Sequence, residues 1–271
     1  MRPFVAAILV LGLSVAALAR TPAQRGPRPP VPAPSRPAPR PAPREAAVPF
    51  TVGETLTYDV SWSRFIVAGT ATTRLIEKRA SFGSTAYAVT AEGRPVPLVA
   101  KLYPLFYKMD ALIESTSLLS QWNSFYTEES TRKHLASTQF DRATHHAHYE
   151  ISNEPASTLD FPVPPNTQDG LTLLYTLRTR TFTAGDRFSV PVVDNGSMYS
   201  VDFATSGPER VTVPLGSLDA WKMALRITNA EKNQVGGAIA VWFSSDARHV
   251  PVKIEAELPV GTFMLALREA R

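Results

Sequence analysis

The 271-residue chain contains no cysteine. This absence excludes disulfide bonds, thiolate metal sites and attachment of a lipid to an N-terminal cysteine. The chain also lacks G-x-S-x-G, zinc-protease, P-loop and dinucleotide-binding motifs. Its carboxylates mostly alternate along predicted strands, and no pair is suited to acid–base catalysis. We therefore predict no catalytic residue and no cofactor.

A long apolar helix is missing as well. The N-terminal apolar run, from Phe4 to Leu18, has about 15 residues, fewer than the roughly 20 that a membrane span needs. It follows the positive Met1-Arg2 pair and ends in Ala17-Leu18-Ala19, which fits a signal-peptidase site. We predict a signal peptide over residues 1–19 and a periplasmic or secreted protein, with no transmembrane span if cleavage follows Ala19. Retention of this segment as an anchor is the alternative.

Residues 20–48 have a different composition from the rest of the chain. They contain ten prolines and six arginines, with almost no side chain suited to a core. Such a composition predicts a disordered or polyproline II linker. The linker is a solvated spacer or a contact for anionic envelope polymer or lipid. Without the signal and the linker the chain is slightly acidic and shows no basic stripe, so we expect no nucleic-acid partner.

Residues 49–271 are predicted to form one β-rich domain. The segment 55–62 alternates apolar and polar residues, as a half-buried strand does. Residues 237–268 predict three antiparallel strands joined by two turns, and Asn195-Gly196 predicts a hairpin turn. About a dozen strands result. An antiparallel sheet of this length is expected to curve into an open barrel or to split into two packed layers.

One main α-helix is predicted from Thr167 to Arg180. Asn166 or Thr167 is expected to cap it, and Asp169 to lie in its first turn. Its leucines recur at helical spacing and predict burial against the sheet. The predicted fold is therefore mainly β, a large curved antiparallel sheet with one helix packed on it.

Two residue pairs are candidate sites. His146 and His148 project from one face of a predicted strand, where two imidazoles can bind a metal ion if a neighbouring strand supplies a third ligand. An exposed polar strand face is the alternative. Asp246 and Arg248 lie in a turn and form either a structural pair or an anion site for a carboxylate or phosphate.

Six blocks of the sequence resemble the bacterial domain-of-unknown-function 3108 family in the family's order. They are GETLTYDVSW at 53–62, KLYP at 101–104, FDR at 140–142, QDGLTLLYTLR at 168–178, LGSLDAWK at 215–222 and VWFSSDARHVPVKI at 241–254. Where the family usually has a second arginine after Arg248, this chain has His249. The resemblance implies an exported envelope protein with a β-rich fold, and it implies no reaction.

Three functions follow as hypotheses. The first is non-enzymatic binding of an apolar or amphipathic envelope molecule, or of a partner protein, on the concave side of the sheet. The second is hydrolysis of an envelope polymer, which requires two carboxyl groups facing each other across a cleft. The third is an assembly adaptor that uses an exposed strand edge and the proline-rich linker.

Overall fold

A computed structural model describes residues 44–63, 66–102, 104–153, 155–258 and 261–271. The predicted signal peptide and residues 20–43 of the predicted linker lie outside these residues. Ala46 and Val48 pack against a buried cluster that contains Phe50 and Tyr175. The packed part of the chain thus begins a few residues before the boundary predicted at residue 49.

The described residues form fourteen strands and two helices. The strands are β1 Thr55–Trp62, β2 Ile66–Ser81, β3 Ser84–Pro95, β4 Leu105–Glu114, β5 Ser120–Glu129, β6 Arg132–Asp141, β7 His146–Ile151, β8 Ser157–Pro162, β9 Arg187–Asp194, β10 Ser197–Val213, β11 Gly216–Thr228, β12 Ile239–Ser244, β13 Pro251–Leu258 and β14 Gly261–Ala270. The helices are α1 Pro97–Leu102 and α2 Gly170–Leu177.

The fourteen strands form one antiparallel sheet in the order β8-β7-β6-β5-β4-β3-β2-β1-β14-β13-β12-β11-β10-β9. Strands that follow each other in the chain are also neighbours in the sheet, except β8 and β9, which the helix α2 separates. The first strand, β1, pairs with the last, β14, in the middle of the sheet. The mainly β, curved-sheet prediction is confirmed, and so are the three final strands. The sheet stays open, because β8 and β9 form its two edges.

The Asn195-Gly196 turn is confirmed as the connection of β9 to β10. Asn195 has φ of 47° and Gly196 has φ of 72°. Left-handed values at both central residues are those of a type I′ hairpin turn, which Asn-Gly adopts with little strain. This turn lies against Tyr149 of β7, since the Tyr149 hydroxyl donates to the Asn195 side-chain oxygen at 2.5 Å. The two ends of the open sheet therefore meet here.

The helix α2 fills the inside of the curve. Leu173 and Leu177 belong to a buried cluster with Met223 and Phe243 from the C-terminal half of the sheet. Leu171 and Tyr175 belong to a second cluster, with Leu75, Val89 and Ile113 from the N-terminal half. The apolar residues of one short helix thus join both halves of the sheet.

The predicted helix was too long at both ends. Asp169 is its N-cap, and the Asp169 carboxylate accepts from the backbone N–H groups of Leu171 and Thr172 at 2.9 Å each. The residue before it, Gln168, forms a parallel bridge with Val192 of β9. Because Gln168 is extended, neither Asn166 nor Thr167 can cap the helix.

The long β10–β11 hairpin builds a second layer on the outer face. Its tip reaches β14, where the Leu215 N–H donates to the Leu267 carbonyl at 3.0 Å. Val211 and Val213 of this hairpin belong to a buried cluster with Trp242 and Ala266. Trp242 thus points away from α2, whereas its neighbours Val241 and Phe243 point toward it.

Candidate functional site

Asp246 and Arg248 form hydrogen bonds within their own turn, between β12 and β13. The Asp246 carboxylate accepts from the Ser244 hydroxyl at 2.7 Å and from the Arg248 guanidinium at 3.2 Å. The side chains of Asp246 and Arg248 are about half exposed. Although burial opposes it, the bonds from Ser244 and the Arg248 charge together hold the pKa of Asp246 below its ordinary value. The polar groups of this carboxylate are already engaged within the turn.

This turn instead holds the end of α2. The carbonyl of Arg248 accepts from the Arg178 Nε at 3.2 Å, and His249 Nδ1 lies 2.9 Å from the Arg178 carbonyl. The Arg178 guanidinium binds the Glu54 carboxylate through two parallel bonds of 2.5 and 2.8 Å. Arg178 is only 1% exposed. The helix, the entry to β1 and the turn before β13 therefore converge on one buried cation.

A second set of polar side chains holds the other end of α2. The Arg142 guanidinium donates to the backbone carbonyls of Ser120 and Thr167. Ser120 in turn donates through its N–H and its hydroxyl to the Gln168 side-chain oxygen, at 3.0 Å each. These residues come from distant parts of the chain and fix the loop that enters the helix.

Sequence reasoning missed both networks. The family resemblance could have indicated these residues, because the blocks that carry it contain all four of them: Glu54, Arg142, Gln168 and Arg178. Periodicity cannot pair a residue at position 54 with one at 178. The blocks thus contribute the buried contacts that position α2.

The histidine pair faces solvent on β7. His146 Nδ1 lies 2.9 Å from the Thr144 carbonyl, and His148 Nδ1 lies 2.8 Å from the Asp160 carboxylate. The intervening Ala147 is buried, as the strand alternation predicts. Within the described ranges, no three His, Cys, Asp or Glu side chains are grouped to hold a metal ion.

We use the term seam for the contact between β7 and the β9–β10 hairpin, where the two ends of the sheet meet. The seam contains a buried acid, Asp194. Asp194 ends β9 beside a cavity of about 10 Å³ that Asn123 and Tyr149 help to line. Burial, and then the charge of Asp169, raise the pKa of Asp194 to about 7. One oxygen of Asp194 is buried without a hydrogen-bond partner. The space is enough for about one water molecule and too small for a substrate.

A larger concavity of about 320 Å³ opens on the outer face. Its lining comes from four adjacent strands: Lys222, Trp242, Lys253, Glu255 and Met264. Lys222 and Lys253 lie opposite Trp242 on either side in the sheet register, so the three side chains share one face. This volume lies at the lower end of the range of small-molecule sites, about 300–1,000 Å³.

Two ammonium groups converge on one indole in this concavity. Lys253 Nζ lies 4.3 Å and Lys222 Nζ 5.1 Å from the Trp242 ring centroid. Lys253 also pairs with Glu255 at 2.9 Å, whereas no carboxylate of the described residues lies within ion-pair distance of Lys222. The Trp242 N–H donates to Glu209 on the folded-over hairpin. Two lysines and the carboxylates of Glu255 and Glu209 thus surround this indole, next to the apolar side chain of Met264, and Lys222 is the lysine that is not in an ion pair within the described part of the chain.

Within the described residues, no helix is long and apolar enough to cross a bilayer. No match to the chain is found among curated proteins.

The solved structures that match the chain have little sequence identity to it. A β-barrel-like protein of domain-of-unknown-function family DUF1849 from Brucella abortus superposes with a TM-score of 0.57 at 10% identity, covering 81% of this chain and 97% of that one. An exported protein with a YmcC-like fold from Bacteroides fragilis gives 0.37 at 10% identity, with coverages of 84% and 100%. The lipoprotein YmcC from Escherichia coli gives 0.31 at 8% identity, with coverages of 80% and 84%. The first of these likenesses supports the barrel-like fold.

The sequence itself matches a family model described as "Protein of unknown function (DUF3108)" over residues 57–268. This match covers most of the chain and includes Arg142, Gln168 and Arg178, whereas Glu54 lies just before its first residue. The chain therefore belongs to the DUF3108 family.

Proposed function

We propose that this protein is an exported, non-catalytic binding protein for an amphiphile with an anionic head group. The observation that carries the proposal is that two lysine ammonium groups, those of Lys222 and Lys253, lie next to the Trp242 ring in the lining of the outer concavity. The site lies on the outer face, whereas the sequence favoured the concave side. The inside of the curve is filled by the leucines of α2 and the buried clusters around it.

The chemistry of the concavity suits such a ligand. An ammonium group held over an indole keeps its charge and can still donate hydrogen bonds to an anion. Lys222 is free to do so, while Lys253 is shared with Glu255. Met264 offers a flexible apolar surface next to these charges, where an alkyl chain can pack. A purely apolar ligand would leave Lys222 without an anionic partner among the described residues.

The two other functional hypotheses have less support from the geometry. The charge of Asp169 acts on Asp194, but Asp169 is engaged as the cap of α2 and the space beside Asp194 holds about one water. For an adaptor, the edge strand β8 is available, but it has only six residues and ends at Pro162. Short edge strands that carry proline are typical of edges protected from pairing.

The test is titration of the protein with dodecyl phosphate at concentrations where the detergent is monomeric, followed by calorimetry. We expect saturable binding, and weaker or no binding of the neutral dodecyl maltoside. The double variant Lys222→Met, Lys253→Met keeps the apolar length of both side chains. We expect it to weaken dodecyl phosphate binding about tenfold or more, because a hydrogen bond to a charged group contributes about 1.5–3 kcal/mol.

The matched control is Lys133→Met, which removes an exposed strand lysine that pairs with Glu128 at 3.7 Å on the other half of the sheet. We expect this variant to bind like the parent protein. Equal affinity for dodecyl phosphate in the double variant and the parent would exclude the concavity as the site. Equal affinity for dodecyl maltoside would show that the head-group charge is not recognised.

A further inference from the structure

One end of the sheet exposes a group of large apolar side chains. Here β1 ends, β2 begins, and β3 connects to β4 through α1. We use the term apolar rim for Trp62, Val67, Leu98 and Leu102, whose exposed fractions are 42%, 49%, 73% and 84%. Single exposed apolar residues are ordinary, but several at one end of a domain mark a contact surface.

The helix α1 forms the outermost part of the apolar rim. None of its six residues is buried, so it projects from the sheet. Leu98 and Leu102 are four residues apart and lie on one helical face. The chain that enters α1 is fixed to β2, because the Val96 N–H donates to the Ala68 carbonyl at 2.9 Å. The leucine pair is therefore presented outward from a firmly attached base.

Aromatic and basic side chains accompany these leucines. The Trp62 ring stacks on Phe263 with centroids 6.5 Å apart. Lys101 lies in the last turn of α1. Arg94 packs on the Phe106 ring at 4.2 Å and lies 3.8 Å from the Glu92 carboxylate, and its side chain is 64% exposed. Arg132 lies at the same end, where the Ser130 N–H of its turn bonds to the Pro104 carbonyl.

We propose that the apolar rim docks on the surface of a bilayer that contains anionic lipid. Leucine and tryptophan next to lysine and arginine are the combination by which peripheral proteins enter the headgroup region. The basic side chains complement the negative charge of such a surface. The two strands that α1 connects, β3 and β4, are each paired on both sides, so among the described residues they offer no free strand edge to a protein partner.

The strand β14 contacts both the apolar rim and the concavity. Phe263, which stacks on Trp62, directly precedes Met264 in β14, and Met264 lines the concavity. Because consecutive strand residues point to opposite faces, the Trp62–Phe263 stack and the concavity lie near the same end of β14 but on opposite faces of the sheet. The docking itself does not depend on whether the concavity binds a ligand.

The absence of cysteine makes a local test possible in the full chain. We would introduce Leu102→Cys, attach an environment-sensitive nitrobenzoxadiazole dye, and add vesicles of equal phosphatidylglycerol and phosphatidylcholine. We expect the emission to shift to shorter wavelength and to be quenched by a nitroxide placed in the lipid. The shift should be much smaller with vesicles of phosphatidylcholine alone, and it should be lost when Leu98→Glu and Lys101→Glu are added.

The control position is Leu159→Cys, because Leu159 is 49% exposed on β8, away from the apolar rim. We expect its dye to keep the emission of the free protein, even if other parts of the full chain adsorb to the vesicles. The proposal is overturned if the dye at position 102 does not respond, if position 159 responds equally, or if the response at 102 comes from self-association without vesicles. Unchanged unfolding midpoints of the variants would show that they remain folded.

Discussion

The charges beside α2 and the charges in the outer concavity differ in how completely they are paired. Arg178 is almost fully buried, and its guanidinium is bound by the Glu54 carboxylate and the Arg248 carbonyl. Lys222 is half-buried at an opening, and its contact among the described residues is the Trp242 ring. A buried cation needs a counter-charge and hydrogen-bond partners, whereas a cation at an opening can keep donors for a ligand.

This difference separates the residues that build the fold from those suited to binding. The contacts around Arg178 and Arg142 join segments that are far apart in the chain, and they hold α2 inside the curved sheet. The lysines of the concavity hold no distant segments together. Substitutions should therefore affect stability on the inner side and ligand affinity on the outer side.

The largest expected effect is that of Glu54→Gln. Glutamine keeps the shape of the side chain but leaves the Arg178 guanidinium buried without a counter-charge. Breaking a buried pair in this way costs about 3–5 kcal/mol. We expect a loss of this size in the free energy of unfolding, measured by urea titration with circular dichroism.

The control for Glu54→Gln is Glu77→Gln. Glu77 pairs with Arg79 at 3.1 Å, and both side chains are about half exposed. Exposed pairs contribute about 0–1 kcal/mol. Similar losses in the two variants would contradict the view that the buried pair anchors α2.

A smaller effect, with the opposite sign, is expected for Asp194→Asn. Since the folded state raises the pKa of Asp194 to about 7, it favours the protonated acid. The contribution of this residue to stability is therefore greatest below about pH 4 and is lost as the pH rises toward 7. Asparagine resembles the protonated acid, so the variant should gain on the order of 2–4 kcal/mol over the parent at pH 8 and little at pH 4.

Urea titrations of both proteins at the two pH values test this expectation. Asp219→Asn is a suitable control, because Asp219 is exposed and pairs with Arg210 at 3.1 Å on the β10–β11 hairpin. We expect its small effect to be nearly the same at both pH values. A variant at Asp194 that is less stable than the parent at pH 8 would show that the ionised carboxylate is stabilised in the seam.

Local patterns predicted the strands well because alternation and turn chemistry are properties of neighbouring residues. The period of two at 55–62 and the Asn195-Gly196 turn both gave the observed elements. The cap of α2 was misplaced by local rules. Thr167 and Asp169 are both good capping residues, and the choice is made by the bridge from Gln168 to Val192.

The candidate concavity was beyond sequence reasoning for a different reason. Lys222, Trp242 and Lys253 come together only through the register of three strands. Lys253 and Glu255 lie in one of the three strands predicted for residues 237–268, but nothing local indicated that the β10–β11 hairpin lies beside them. A site made by register and by a folded hairpin has no motif in the sequence.

The smallest expected effect on stability completes the comparison. The variant Lys222→Met removes one cation–π contact, worth about 0.5–1 kcal/mol at an accessible site, and leaves the Lys253–Glu255 pair intact. It also removes the cost of holding one ammonium group partly out of water. We expect these terms nearly to cancel, so that the free energy of unfolding changes by about 0.5 kcal/mol or less. If the variant instead lost as much as Glu54→Gln, Lys222 would be part of the structural framework, and a loss of ligand binding could not be assigned to the concavity.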